Sequence, residues 1–189
     1  MTRPGPFDEP RIFGKSVPKR RKYPWEHPDY DSPNFLKDNI CGYYLTRVFD
    51  PSLEFSYGNK SGYDFKSNGK TYSIRFSCLA KDNTSWHFLF GQSKAKSILF
   101  FGFRDKVKPK LEFCLDLPME KFRDRNRINI PDDEYCIKGY KEFGIDPEKL
   151  RKMQEVLTAI ENRDGSKMEE IFPNLYNLDS EIEDANPDS

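Results

Sequence analysis

Asp64 and Arg75 stand on either side of an Asn68-Gly69 dipeptide, in a stretch (62–90) where apolar and polar residues alternate more clearly than elsewhere. Asn-Gly between alternating runs is the strongest short-range hairpin signal. Tyr63-Asp64-Phe65 is therefore expected to fold back on residues 70–77 as an antiparallel pair. Strand side chains point alternately to two faces, so Tyr72, Ile74 and Phe76 form a core face and Thr71, Ser73, Arg75 and Ser77 a polar one. The bend brings Asp64 to that polar face beside Arg75. As structure, the two form a cross-strand ion pair closing one end of the sheet. As function, Arg75 with Lys60, Lys66, Lys70 and Lys81 offers contacts to phosphates, an affinity that falls steeply with salt.

Other reactive side chains point to little. Cys41, Cys78, Cys114 and Cys136 are widely spaced without a CxxC pair, and His27 and His87 stand alone, a pattern that argues against zinc. Buried free thiols in a reducing compartment are expected. His87, between Trp86 and Phe88, reads as a strand-surface or core histidine rather than a base.

Charge is balanced overall, 31 basic against 31 acidic residues, but unevenly spread. Residues 55–110 hold eleven Lys or Arg against three Asp, whereas residues 164–189 hold one Lys against eight acids. A basic centre with an acidic tail suits a polyanion-binding surface, or simple solvation.

The elements that must position these residues read as follows. Residues 34–48 carry helical spacing (Phe35, Leu36, Ile40, Tyr43, Tyr44, Leu45), with Ser32 or Asn34 to cap the start and Asp50-Pro51 to stop it. Residues 85–90 alternate as a second strand of the hairpin's own sheet, antiparallel to residues 70–77. The continuous apolar run 97–103 reads as the central strand, covered on both faces. Residues 111–117 make a hairpin with it, and 128–130 a short edge strand ended by Pro131. Asp146-Pro147-Glu148 starts a helix with the stripe Leu150, Met153, Leu157 and Ile160. Residues 166–169 form a capping box for one more helix, halted by Pro173.

Residues 1–33 are rich in proline and charge and read as an extended arm, with Lys19, Arg20, Arg21 and Lys22 suited to phosphates or to a nuclear address. Phe7, Ile12, Phe13, Tyr23 and Trp25 can pin parts of it. Residues 34–176 then form one domain and 177–189 a disordered acidic tail. No apolar run approaches the roughly 20 residues of a bilayer span and residues 1–4 open no signal pattern, so an intracellular protein, cytoplasmic or nuclear, is expected.

A strand-borne Asp, an Asn-Gly-Lys hairpin, a polar–aliphatic–basic strand, a Trp-x-Phe strand and a buried aliphatic strand together resemble the core of the PD-(D/E)XK nuclease superfamily, the restriction-endonuclease-like fold. The resemblance spans about 35–120. It rests on Tyr63-Asp64-Phe65, on Asn68-Gly69-Lys70-Thr71-Tyr72-Ser73-Ile74-Arg75, on Trp86-His87-Phe88, and on residues 97–103 and 111–118. In that family two acids hold Mg²⁺ against the scissile phosphate, and a lysine two residues after the second acid orients the attacking water. Asp64 matches the first acid. Ser73 stands where an acid or Gln is expected and Arg75 where Lys is expected. Serine is a weak neutral ligand, and arginine cannot lose its proton at usable pH.

The family also places a Glu in the first helix, where this chain offers only Asp38. Glu54 and Lys81 are candidates to compensate, both off the expected face. The resemblance thus implies an α+β protein with a mixed, mostly antiparallel sheet of four or five strands flanked by helices. It would contact double-stranded DNA, and a homodimer is compatible with it. Asp64, Ser73 and Arg75 would form a compromised endonuclease site, with Mg²⁺ on Asp64 if active. The competing expectation is a non-enzymatic scaffold that binds a protein partner through its basic arm and acidic tail.

Overall fold

The computed structural model describes residues 23–32, 35–56, 62–79, 84–89, 93–105, 109–122, 125, 127–132 and 139–176, the side chains of 37–39 and 176 excepted. Lys19, Arg20, Arg21, Lys22, Lys60, Lys81, Cys136 and the tail 177–189 lie outside them.

The run SILFFGF forms β5 (Ser97–Phe103), with all seven residues buried. A strand without a polar side needs cover on both faces. Leu99, Phe101 and Phe103 join a core shared with helices, and Ile98 and Phe100 join a second core on the opposite face. β3 (Lys70–Cys78) runs parallel to β5, and β6 (Leu111–Pro118) antiparallel to it. β2 (Phe65–Ser67) pairs antiparallel with β3, and β1 (Glu54–Phe55) antiparallel with β2. The result is an α+β architecture with a mixed five-stranded sheet, ordered β1-β2-β3-β5-β6. β5 is an interior strand, while the middle place belongs to β3.

Two strands expected in this sheet leave it. β4 (Ser85–Leu89) pairs with β7 (Arg127–Pro131) in a separate antiparallel ribbon instead of pairing with β3. The second face of β5 and β6 explains the move, because Trp86, Phe88, Ile128 and Ile130 cover Ile98, Phe100, Phe113, Leu115 and Leu117 there. Polar ties fix the ribbon in place. The Trp86 indole N–H donates to the Phe103 carbonyl at 2.7 Å, and Arg104 reaches both Glu112 (3.1 Å) and Asp132 (3.0 Å).

The first helix also differs from expectation. Leu36–Leu45 is π-helical and only Thr46–Phe49 (α1) is α-helical. Buried residues recur five apart, at Leu36 and Cys41 and at Ile40 and Leu45, which the wider π turn places on one side. The anticipated cap at Ser32 does not operate, since no side chain of the described residues caps the start of this helix; Asn34, the other candidate, lies outside them. Asp50 ends α1 as expected.

α2 (Pro147–Glu161) begins as its sequence suggests, the Asp146 carboxylate accepting the Glu148 N–H at 2.8 Å. Met153, Val156, Leu157 and Ile160 are buried against the sheet, each worth about 1.5–3 kcal/mol. α3 (Gly165–Ile171) is capped by Asp164, which accepts the Lys167 N–H, and not by Ser166. α4 (Pro173–Tyr176) is a single turn. Residues 23–32 pack onto this layer, with Tyr23 stacked on Trp25 and donating to Glu169. Tyr23 and Trp25 thus pin part of the proline-rich segment as expected, while Phe7, Ile12 and Phe13 lie outside the described residues. Among the described residues no helix is long and apolar enough to cross a membrane.

Candidate functional site

The β2–β3 turn has positive φ at both central residues, 49° at Asn68 and 75° at Gly69, as a type I′ hairpin requires. Its register pairs Phe65 with Tyr72 and Lys66 with Thr71. Phe65, Ser67, Lys70 and Tyr72 therefore share the helix-side face, and Lys66, Thr71, Ser73 and Arg75 the other. Asp64, just ahead of β2, falls on the second face. Its Oδ2 lies 3.9 Å from Arg75 Nη1, with the Asp64 side chain 48% exposed and that of Arg75 26%. The sequence expectation for this pair holds: the two groups meet in a notch open to solvent.

Strand lengths explain their geometry. β2 has three residues and β3 nine, so β2 has no backbone left to bond Ile74. The side chains take over: Asp64 Oδ2 accepts the Ile74 N–H at 2.7 Å, and Arg75 Nη1 donates to the Ile74 carbonyl at 2.7 Å. The pair thereby satisfies the edge of β3. Asp64 Oδ1 accepts no hydrogen bond among the described residues.

Ser73 reaches the same face but not the notch. It is 3% exposed, and its Oγ lies 2.6 Å from Ser93 Oγ, beneath a segment tied by Lys94 N–H to the Gly62 carbonyl at 2.9 Å. Ser77 is covered from the other side, accepting the His87 N–H of β4 at 3.1 Å. Arg75 emerges between these covers.

The cations sort by face. Lys66 is exposed on the notch face, its ammonium 5.7 Å from the Tyr63 ring centroid. Exposed Lys94 belongs to the same surroundings, because its stem packs so close to Gly62 that a Cβ there would come within 2.9 Å of it. In the sequence Lys94 reads only as part of a turn; its place depends on the parallel β3–β5 pairing, which no local signal announces. Lys70 is on the opposite face, 3.1 Å from Asp116 Oδ1, with the Tyr72 hydroxyl donating to Asp116 Oδ2 at 3.1 Å. Burial and the Asp116 carboxylate together push the Tyr72 phenol far up, so it stays protonated. The structure therefore does not bring Lys70 together with Arg75.

Glu54 moves the other way. Its pairing with Lys66 places it on the face of Asp64, contrary to expectation, one diagonal step across β1 and β2. Asp38 lies in the π-helix, its side chain outside the described residues. The donor set does not fit Mg²⁺, which takes near-octahedral oxygen ligation. Asp64 already accepts a backbone N–H, Ser73 is buried against Ser93, and no group of three or more His, Cys, Asp or Glu among the described residues is placed to hold a metal ion. A guanidinium beside one half-exposed carboxylate, flanked by lysines, suits a phosphate oxygen better.

No family model matches the chain, and a search of curated proteins finds no match.

Proposed function

We propose that the chain is a DNA-binding protein of restriction-endonuclease-like layout whose notch grips the phosphate backbone without cutting it. The observation that carries this reading is the meeting of Asp64 and Arg75 on an open face shared with Lys66. Arg75, Lys66 and Lys94 are the contacting cations. Kinship with the PD-(D/E)XK nucleases is supported by a helix, an Asp-bearing hairpin, the Ser73-Ile74-Arg75 strand and an interior strand following in that order. Cleavage is lost with the second acid, whose place Ser73 takes under cover, and with the lysine, replaced by a guanidinium that cannot accept a proton.

Fluorescence anisotropy with a labelled duplex tests the binding. Affinity should fall steeply with salt, and Lys66→Gln and Lys94→Gln should each weaken it and reduce the salt slope by about 1. No binding at low salt, or binding indifferent to salt, would overturn the reading. Supercoiled plasmid with Mg²⁺ or Mn²⁺ should be cut no faster by the wild type than by Asp64→Ala.

The bonds to Ile74 favour a second reading, in which Asp64 and Arg75 are purely a strand-edge clamp on a scaffold that binds a protein partner. Salt-dependent DNA affinity lost on Lys66→Gln separates the two.

A further inference from the structure

Across the sheet from the notch, a cleft of about 290 Å³ lies between the hairpin turn, the end of α1 and the first turn of α2. It joins residues a hundred positions apart, and of those that carry its chemistry Lys149 did not stand out in the sequence. Lys149 donates to the Phe49 carbonyl at 2.6 Å and sits 5.2 Å from the Phe49 ring centroid, with no carboxylate of the described residues within 4 Å. Its charge is thus held in place without being neutralised by an ion pair. Lys70 is fixed from behind by Asp116.

Asp50 is the one acid in the lining, and neither of its oxygens is free to meet an incoming group. Oδ1 accepts both the Ser52 N–H (2.9 Å) and the Ser52 hydroxyl (2.7 Å), and Oδ2 is shut off from solvent. What faces an incoming group is therefore two ammoniums and the exposed Asn68 amide at the turn. With Asp116 counted, the four charges cancel, so directed donors and not a broad positive field would hold an anion. Such a cleft discriminates for a compact anionic group. Its volume, at the small end for ligand sites, admits that group with a small attached body.

We propose that this cleft binds a phosphate monoester, gripped by Lys149, Lys70 and the Asn68 amide, either on a small molecule or at the end of a nucleic-acid strand. The site is separate from the notch and does not rest on its reading.

Calorimetry on the full chain tests it, with inorganic phosphate, acetate, and a short single strand with and without a 5′-phosphate. Inorganic phosphate should bind saturably. Lys149→Gln should weaken it about tenfold or more, the scale of one lost charge-assisted contact, while Lys149→Arg retains it and Lys121→Gln, at an exposed lysine paired with Glu142 outside both sites, leaves it unchanged. An affinity gain from the 5′-phosphate that disappears in Lys149→Gln assigns the site to strand ends. Free phosphate binding without that gain assigns it to a small molecule. Unsaturable binding, equal affinity for acetate, or equal loss in Lys121→Gln and Lys149→Gln would overturn the proposal.

Discussion

Asp64 bonds a backbone amide and neighbours a guanidinium, and two substitutions separate those roles. Asp64→Asn keeps an oxygen to accept the Ile74 N–H, whereas Asp64→Ala leaves that donor unpaired. Urea denaturation should show a loss of about 1–2 kcal/mol for the alanine and clearly less for the asparagine; equal losses would refute the clamp. Asp50 gives a pH prediction. Burial raises its pKa, but the neighbouring Ser67 hydroxyl, the hydrogen bonds from Ser52 and the Lys149 charge outweigh burial and hold the carboxyl below its usual range. A carboxyl depressed in the folded state adds stability above its unfolded pKa of about 4, and that stability is lost as pH falls through the lower folded value. Asp50→Asn should therefore flatten the stability profile below about pH 4, read by denaturation midpoints. Burial also pushes the Cys114 thiol well up, so of the described cysteines native alkylation should spare Cys114 and label the half-buried Cys78 first. At this scale the alternation of β3 already placed Arg75 and the buried Tyr72 correctly. It held more: Lys70 stands five residues from Arg75, an odd number, so its opposite face was legible without coordinates. The face of Glu54 was not, since it depends on a β1–β2 register that two residues of strand do not encode.

The hairpin and β5 are the elements whose sequences carry their own instructions. Asn68-Gly69 demands left-handed backbone, and only Gly69 occupies it without a Cβ penalty. Gly69→Ala should cost about 1–2 kcal/mol by denaturation although nothing lies within 4 Å of the added methyl. Gly102 is a different case, because a Cβ there would come 2.3 Å from the Phe113 ring on β6. Gly102→Ala should destabilise by about 1–3 kcal/mol or more through overpacking. β4 shows where legibility stops. The alternation of Trp86 and Phe88 announces a strand with one apolar face, and it is one, but alternation says nothing about which strand will be its partner. The pairing was decided elsewhere, by the second bare face of β5 and β6. The π-helix is similar, since helical spacing marks the segment while the winding answers to what packs against it.

Across the whole molecule, one sheet separates two cores, and the two candidate sites sit on its opposite sides near the same hairpin. The Asp64–Arg75 notch lies on the ribbon side and the Lys149 cleft on the helix side. Trp86 helps anchor the ribbon, fully buried with its N–H on the Phe103 carbonyl. Trp86→Phe removes that bond while the carbonyl keeps the Leu79 N–H, and should cost about 0.5–1.5 kcal/mol by denaturation. The segregation of β4 and β7 from the main sheet has a kinetic side as well. Their partnership closes a loop of some forty residues, whereas the β2–β3 turn closes over two, and long closures are slow to form and open early. The ribbon should thus behave as a late-folding flap, its amide protons exchanging with deuterium before those of β5. The wall beside Arg75 that covers Ser77 would then lift in native conditions while the sheet beneath it stays shut.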